Sequence, residues 1–508
     1  MHNLNLQRTV SVLILAATPW LGVAVVKGQP NADAISKGYA SYMKWGLQIN
    51  AFTFAEENGF SPAYFTQSNF TGVTIGGDSD YRPANYGPKN SFDWNIVGSN
   101  ASTQVQDSKL PYFNTLKTWS YQDEQDLTIP SIVTETANWM SAMRADPRVP
   151  ADTLLYVNQW GQQTPEAAIQ AYMAIAKPDQ VSFDWYVFGT GYPQQFVNGS
   201  PRGLYFGLEK YRRLGMAGND GTGQHPIPYG HWLSTFVTTR DHGLDAQAVG
   251  YRMSDSEMRL DQFAGWAFGA KFATAFTYDS ANAIDSLIGP LLFSSGGADA
   301  VPTQQFHQLA EINRESRNLG PALVRLLSTN VQRVRGPNSF ADDIVPAFDA
   351  TSDQYLKGVV PTNLGTHNGG APGDVVLGWL KPLISPVTLT GNIPDNETYF
   401  MVVNGLVWTN TSAADTAQTI HLNFDFGTSG ITSLQRLSRD TGLVEIVPLV
   451  PDGGSLYHLD LTLPGGTGDL FKYNTGAVFL VPEPGCIGLL LLAGAFLKRA
   501  TRRVVFHQ

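Results

Sequence analysis

Cysteine is almost absent from this chain of 508 residues: there is one, Cys486. A single thiol closes no internal disulfide and supplies no thiolate zinc cluster, so neither device holds the fold. Charge is scarce too. Only 15% of the residues are charged, against roughly 25% in an ordinary soluble domain. Acids outnumber bases by 43 to 33, for a formal net charge of -10. An acidic chain is a poor match to a phosphate backbone, and no nucleic-acid partner is expected. The nine histidines contain no His-Glu-x-x-His pattern and no closely spaced pair, so no metal site and no cofactor are expected. A Gly-x-Ser-x-Gly elbow is missing as well, which leaves a serine triad without support. The loop from Gly218 to Pro226 lacks the lysine and the strand-to-helix placement of a phosphate loop.

Apolar mass is plentiful, with 43% hydrophobic residues including 11 Trp, 20 Tyr and 27 Phe. That excludes global disorder and predicts a sizeable core. From about Ala40 to Asn330, apolar segments alternate with helix-like ones. The strand candidates are WGLQINAF, TLKTWSYQDE, TLLYVNQW, QVSFDWYVF, YGHWLSTFV and FATAFTYDS. Periodic stretches at 132–144, 165–176, 204–216 and 255–272 separate several of them. Strands joined by helical crossovers predict a parallel sheet, and strand ends rich in polar and aromatic residues predict a (β/α)8 TIM barrel over residues 30–335. Six strands are legible rather than eight, and the Gly, Asn and Asp-rich stretch 60–115 reads as a long insertion over the barrel mouth. A helical pattern over 303–327 closes this region. Residues 336–478 give short alternating runs between turn formers about every ten residues, which predicts an antiparallel β-sandwich.

Both ends read as addresses. Residues 1–29 carry Arg8 ahead of an apolar stretch with small residues near Ala24 and Gly28, the pattern of a secretory signal peptide. In residues 479–508, Pro482, Glu483 and Pro484 precede a short apolar run and then Lys498, Arg499, Arg502 and Arg503. This tail resembles the PEP-CTERM sorting signal of bacterial exported proteins. The resemblance implies an exosortase-type sorting enzyme as partner, a membrane held transiently through the C-terminal segment before processing, and an exported body in the cell envelope or outside it. A plain C-terminal membrane anchor fits the same residues. Without residues 1–29 and 485–508, which hold six bases and no acid, the body has 27 bases against 43 acids, a net charge of -16.

Candidate chemistry gathers at the strand ends. Asp123 and Glu124 end the Trp119 strand, and glycosidic-bond hydrolysis needs one carboxylic acid and one carboxylate roughly 5 to 9.5 Å apart. Neighbouring residues of a regular strand face opposite ways, so at most one of the two is expected to face the mouth. Glu124 is the candidate acid or base. The same acids, with Asp126, would equally favour the start of the following helix. Asp184 is the candidate second carboxylate, or else an anchor of its turn, and Asp279 at the end of the last strand is a third candidate. Asn158 and Gln159 suit sugar hydroxyls, and Trp160, Trp185, Tyr186, Trp232 and Tyr278 offer flat faces or a phenol. Asp220 and His231 complete the candidate binding set, with Asp220 lying in a loop that reads equally well as a surface turn. Ser254 and Glu257 read as a capping box.

Together the strand-end Asp123-Glu124, the Asp184-Trp185-Tyr186 strand and the helix Ser256-Glu257-Met258-Arg259 leading to Ala267–Lys271 resemble bacterial barrel proteins related to glycoside hydrolases. The resemblance implies a polysaccharide or oligosaccharide partner and an acid or base at Glu124. Two departures stand out: Gln125 replaces the proline that often follows Asp-Glu in such proteins, and the YGHWLSTFV strand carries no glutamate to act as nucleophile. A non-catalytic carbohydrate-binding or exopolysaccharide-associated surface protein is therefore the alternative expectation.

Overall fold

The computed structural model describes residues 35–53, 61–76, 92–98, 104–161, 164–189, 196–197, 200–239, 249–279, 288–295, 300–340, 344–383, 387–388, 391–392 and 397–481. Both terminal address segments, with Pro482, Glu483 and Pro484, lie outside them. Among the described residues no helix is long and apolar enough to cross a membrane.

Eight parallel strands close into a barrel. They are β1 (Gln48–Thr53), β2 (Gly72–Gly76), β3 (Asp93–Val97), β4 (Leu116–Asp123), β5 (Leu154–Trp160), β6 (Val181–Asp184), β7 (Tyr229–Ser234) and β8 (Phe272–Asp279), paired in sequence order with β8 returning to β1. The principal helices are α1 (Lys37–Trp45), α2 (Pro62–Gln67), α3 (Pro130–Ala145), α4 (Glu166–Ala176), α5 (Arg202–Ala217), α6 (Asp255–Phe268) and α7 (Gln304–Leu323). Six strands coincide with the apolar segments of the sequence. The stretch 60–115 is not an insertion: it contributes β2 and β3 to the barrel wall. Each has only five residues, GVTIG and DWNIV, too few for a period to emerge among flanking turn formers. Residues 77–91 and 99–103 within that stretch lie outside the described residues.

The barrel interior is layered. At the amino ends of the strands α1 sets Tyr42 on the ring of Phe272, centroids 5.9 Å apart, with Tyr156 against the same ring at 6.4 Å. Above this plug lies a polar layer in which Thr118 donates to Asn95 (2.8 Å) and Ser182 donates to Asn158. Nearer the carboxyl ends Phe52, Trp232 and Phe276 pack together, their ring centroids 5.3 to 5.9 Å apart. Buried polar groups are tolerable only when bonded, and the Asn and Thr pairs of the middle layer satisfy one another.

After α7, besides the two-residue pair Val387–Thr388 and Gly391–Asn392, the described residues form ten longer strands: β9 (Leu326–Val334), β10 (Leu356–Asn363), β11 (Val375–Pro382), β12 (Tyr399–Asn404), β13 (Gln418–Asp425), β14 (Ser433–Leu437), β15 (Val444–Pro448), β16 (Val450–Gly453), β17 (Leu456–Leu463) and β18 (Gly468–Tyr473). They make a six-stranded antiparallel sheet, β9-β11-β12-β18-β14-β15, and a four-stranded one, β10-β13-β17-β16. Val375, Leu377 and Trp379 of β11 meet Ile420, Leu422 and Phe424 of β13 in a core shared by the two sheets. The alternate residues Val376 and Leu380 join the barrel core instead. At β11 this sheet is thus buried on both faces, whereas its edge strand β15 is largely exposed.

Helix α6 fills the joint. Thirteen of its fourteen residues are buried, and Ser254 with Glu257 closes the capping box read from the sequence. A Cβ on Gly378 of β11 would stand 1.9 Å from the carbonyl oxygen of Ala267, so only glycine lets strand and helix approach this closely. Replacing Gly378 with Ala is expected to cost about 1–3 kcal/mol through overpacking, read as a lower midpoint in urea unfolding of the full chain; an unchanged midpoint would show that the helix shifts freely.

Candidate active site

The pairing of β4 with β5 slips at its carboxyl end. Ser120 faces Tyr156 while Asp123 faces Asn158, so β4 carries one residue more than its partner, a β-bulge. Gln122 and Glu124 on either side of Asp123 both adopt left-handed backbone, φ 55° and 49°, a conformation uncommon for such residues. Ser120 holds the bulge, its hydroxyl donating to the Gln122 carbonyl (3.0 Å) and accepting from the Asn158 amide (3.1 Å). The Glu124 amide donates to the Asn158 carbonyl at 3.0 Å. In a bulge the alternation of a regular strand lapses. Asp123 and Glu124 therefore face the same side, contrary to the expectation that at most one would.

Asn158 stands at the centre. Its Nδ2 donates to Asp123 Oδ1 and to Asp184 Oδ1, each at 3.0 Å, while its own Oδ1 accepts from Ser182. The Glu124 carboxyl stands close enough to bear on both aspartates electrostatically. Two carboxyl groups, from the end of β4 and the end of β6, thus share one amide, with a third, Glu124, beside them. They cannot all be ionised. Asp184, 9% exposed, is held well above the ordinary carboxylate range by its burial first and then by Glu124 and Asp123. Asp123 is open to solvent on one side and hemmed by protein on the others, and desolvation followed by the Glu124 charge pushes it up to about 7.

Aromatic side chains border the cluster. Tyr186 stacks on Phe276 at 5.5 Å, and its hydroxyl is raised by desolvation and then by Asp184, Glu124 and Asp123. Trp160, half-buried, sits in register with Asp184. Trp232 is buried against Phe52, with its indole N–H unpaired among the described residues. Phe52 and Phe276 carried no signal in the sequence beyond strand parity, and Ser120 and Ser182 none beyond their place two residues from other inward positions.

Other candidates lie elsewhere. Gln159, one position from Asn158, faces away from the barrel interior and accepts from Thr164. His231 is a buried residue of the helix-facing side, stacked on Phe183 and bonded through Nε2 to the Asp261 carbonyl at 2.8 Å. Tyr278 is buried among Phe65, Phe70 and Phe293. For Gln159 and His231 strand parity turns the side chain outward; Tyr278 has the parity of Phe276, and the register shift between Ala275 and Asp279 on β8 reverses its side. Trp185 packs edge-on against Phe206 of α5. Asp220 lies in the connection from α5 to β7, at the opposite end of the barrel, where its neighbour Asn219 bonds the Pro178 carbonyl; it accepts from Thr222 and meets His225 at 3.2 Å, which holds it down at about 2. Asp126 accepts from Thr128 in its own turn and does not cap α3, whose N-cap is Ile129. Asp279 ends β8, and its side chain lies outside the described residues.

No family model and no curated protein matches the chain. Solved structures similar to it in fold include a glycoside hydrolase, 9% identical with a TM-score of 0.45, covering 85% of this chain and 94% of that one. A family 5 glycoside hydrolase from Bacteroides vulgatus is 8% identical over 86% of this chain and 90% of its own, with a TM-score of 0.41. The β-galactosidase of the psychrophilic Marinomonas ef1 is 10% identical, covers 54% and 60%, and has a TM-score of 0.35. At such values the likeness carries no argument about chemistry, which rests on the residues themselves.

A carboxyl whose affinity for its proton is raised by folding stabilises the fold at low pH, and that contribution is lost as pH rises through the raised value. Asp184→Asn removes the titration and keeps the shape. It is expected to raise Tm relative to the parent at about pH 8, by a gain on the order of 1 kcal/mol, and to give a shrinking difference toward about pH 4 in thermal scans. A difference that does not vary with pH would contradict the crowding of charge.

Proposed function

We propose that the protein is an exported glycoside hydrolase-like protein whose barrel mouth hydrolyses a glycosidic bond of a polysaccharide or oligosaccharide. One observation carries this reading: Asp123 and Asp184 share the Asn158 amide with Glu124 beside them, and this crowding with burial raises both aspartates' hold on a proton. Hydrolysis needs an acid to protonate the leaving oxygen as the C–O bond breaks, and a carboxylate to attack the anomeric carbon or to take a proton from the incoming water. A cluster with a shared proton offers both forms side by side. Glu124, on the exposed left-handed turn, acts as the acid and base, and Asp184 is its partner. A sugar bound between them would need the roughly 5 to 9.5 Å of working glycosidase pairs. The Asp123 and Asp184 oxygens, each 3.0 Å from one nitrogen, already stand less than about 6 Å apart. Trp160 and Tyr186 border the place where a pyranose ring would lie. The two terminal segments support export: the signal-peptide pattern in residues 1–29, and the tail around Pro482, Glu483 and Pro484 that an exosortase-type enzyme would process at the membrane.

A second reading, a barrel that binds glycan without cleaving it, is favoured by the end of β7. β7 itself supplies no carboxylate there; the Asp261 carboxylate of α6 is taken by the Ser234 amide at 3.1 Å, and Trp232 with Phe52 and Phe276 fills the space. A panel of polysaccharides assayed for new reducing ends separates the two. Glu124→Gln is expected to lower turnover by about 10²–10⁴-fold, whereas Asp220→Asn at the far end leaves it unchanged. Undiminished turnover by the Glu124 variant rejects its role, and glycan binding by the parent without turnover on any substrate selects the second reading.

A further inference from the structure

On the outer face of the four-stranded sheet, remote in sequence from the barrel mouth, we propose a binding site for a divalent transition ion of the zinc class, with His421, His458 and Asp460 as ligands. The three come from neighbouring strands: His421 on β13 lies directly opposite Asp460 on β17, and His458 lies opposite Asn423 one pair further along. Their ligand atoms all lie within 4.8 Å of one another, so modest side-chain rotation closes them onto one ion. His421 Nδ1 is 2.7 Å from Asp460 Oδ1, and His458 Nε2 is 3.9 Å from Asp460 Oδ2. The Asp460 carboxylate thus stands between two imidazoles whose centroids are 4.8 Å apart.

The far sides of the rings are what mark the cluster as a site. His458 Nδ1 meets both carboxylate oxygens of Asp452 on β16, at 2.8 and 2.9 Å, and His421 Nε2 meets Asn423 Oδ1 at 3.0 Å. An acceptor on the remote nitrogen fixes the tautomer so that the inner nitrogen presents its lone pair, the arrangement that orients metal-bound histidines. His421 faces acceptor oxygens through both nitrogens, so a neutral ring forfeits one contact. An ion between Nδ1 and Asp460 resolves this conflict by taking the place of the proton. A Cβ on Gly358, opposite Asn423 on β10, would come within 2.9 Å of Asn423 Nδ2, so glycine leaves Asn423 its room. Two nitrogens and a carboxylate, with water completing the shell, suit zinc-class ions and not calcium, which takes six to eight oxygens. The groups are 37%, 19% and 58% exposed, so an ion and its water can enter. A bound ion would tie β13 and β17 together and, through Asp452, the fully exposed edge strand β16. No local motif betrays the site, because His421 and Asp460 are 39 positions apart.

The test uses the chelator-treated full chain, titrated calorimetrically with Zn²⁺, with Co²⁺ as the spectroscopic probe and Ca²⁺ and Mg²⁺ as comparisons. One equivalent of Zn²⁺ should bind and raise Tm, and Co²⁺ should give visible absorption bands. His421→Gln and His458→Gln should each weaken Zn²⁺ binding by more than roughly tenfold and abolish the Co²⁺ bands, with Tm in chelator unchanged. Stoichiometric binding that survives both substitutions, or no binding at one equivalent, overturns the site. Equal binding of Ca²⁺ at these residues overturns the choice of ion.

Discussion

A helix buried on every side constrains most of this molecule. α6 belongs at once to the barrel wall and to the face of the six-stranded sheet, with Gly378 against the Ala267 carbonyl. Such a helix has no solvent to receive its polar side chains, so each must find a partner in the protein. Asp255 and Glu315 hold Arg259, at 3.1 and 2.7 Å, and Gln262 and Trp266 both donate to Ser316 of α7. Ser254 and Ser256 bond the Trp408 carbonyl, and Asp255 accepts from the Ala413 amide, which fixes the sandwich to the start of the helix. The Ser-Glu-x-Arg pattern that resembles hydrolase barrels is used here to dock a second domain.

The same helix reaches the mouth of the barrel through Asp261. Its carboxylate accepts from the Ser234 amide at the end of β7, and its carbonyl bonds His231. The end of β7 is thereby committed to structure. The acids stand instead on the opposite arc, β4 to β6, where a bulge with two left-handed residues turns Asp123 and Glu124 to one side. Backbone strain of this kind, of order 1–3 kcal/mol at each residue, persists only where the surroundings enforce it. Here Ser120 and the backbone of Asn158 do so. The strain and the crowding of three carboxyls both oppose folding, and they coincide at the place where chemistry is expected.

Much of this was legible from the residues, and the remainder failed for identifiable reasons. Strands set in longer apolar segments announced themselves, while β2 and β3, five residues each among glycines and asparagines, did not. Glu124, Asp184 and Asn158 could be singled out because they end apolar strands, although an acid there serves as readily to start a helix or anchor a turn, and only the β4 bulge brings them together. Composition does not give parity, however. Gln159 beside Asn158 and His231 beside Trp232 took the outward face, and one position decided it, while Tyr278, of the same parity as Phe276, was turned outward by a register shift on β8. Asp220 failed differently, since turn formers look alike at both ends of a barrel, and only the order of helix and strand says which end a loop occupies. His421 and His458 were invisible as a pair because register across strands, not spacing along the chain, brings them together.

The shared proton bears on both readings of the mouth. A neutral carboxyl next to a charged one is an acid for a leaving oxygen, and it is also a donor and acceptor for a sugar hydroxyl that is never cleaved. What separates them is the consequence of losing the proton. In catalysis the acid form is required in the transition state, so turnover falls as pH rises through the titration of the cluster while the affinity for glycan need not. In binding alone, affinity itself follows the proton, because an added charge changes the desolvation that a sugar must offset. Asp123, pushed to about 7 by desolvation and by Glu124, places that titration in an accessible range. A mouth built only for shape would have had no reason to place two carboxyls on one amide with a third beside them.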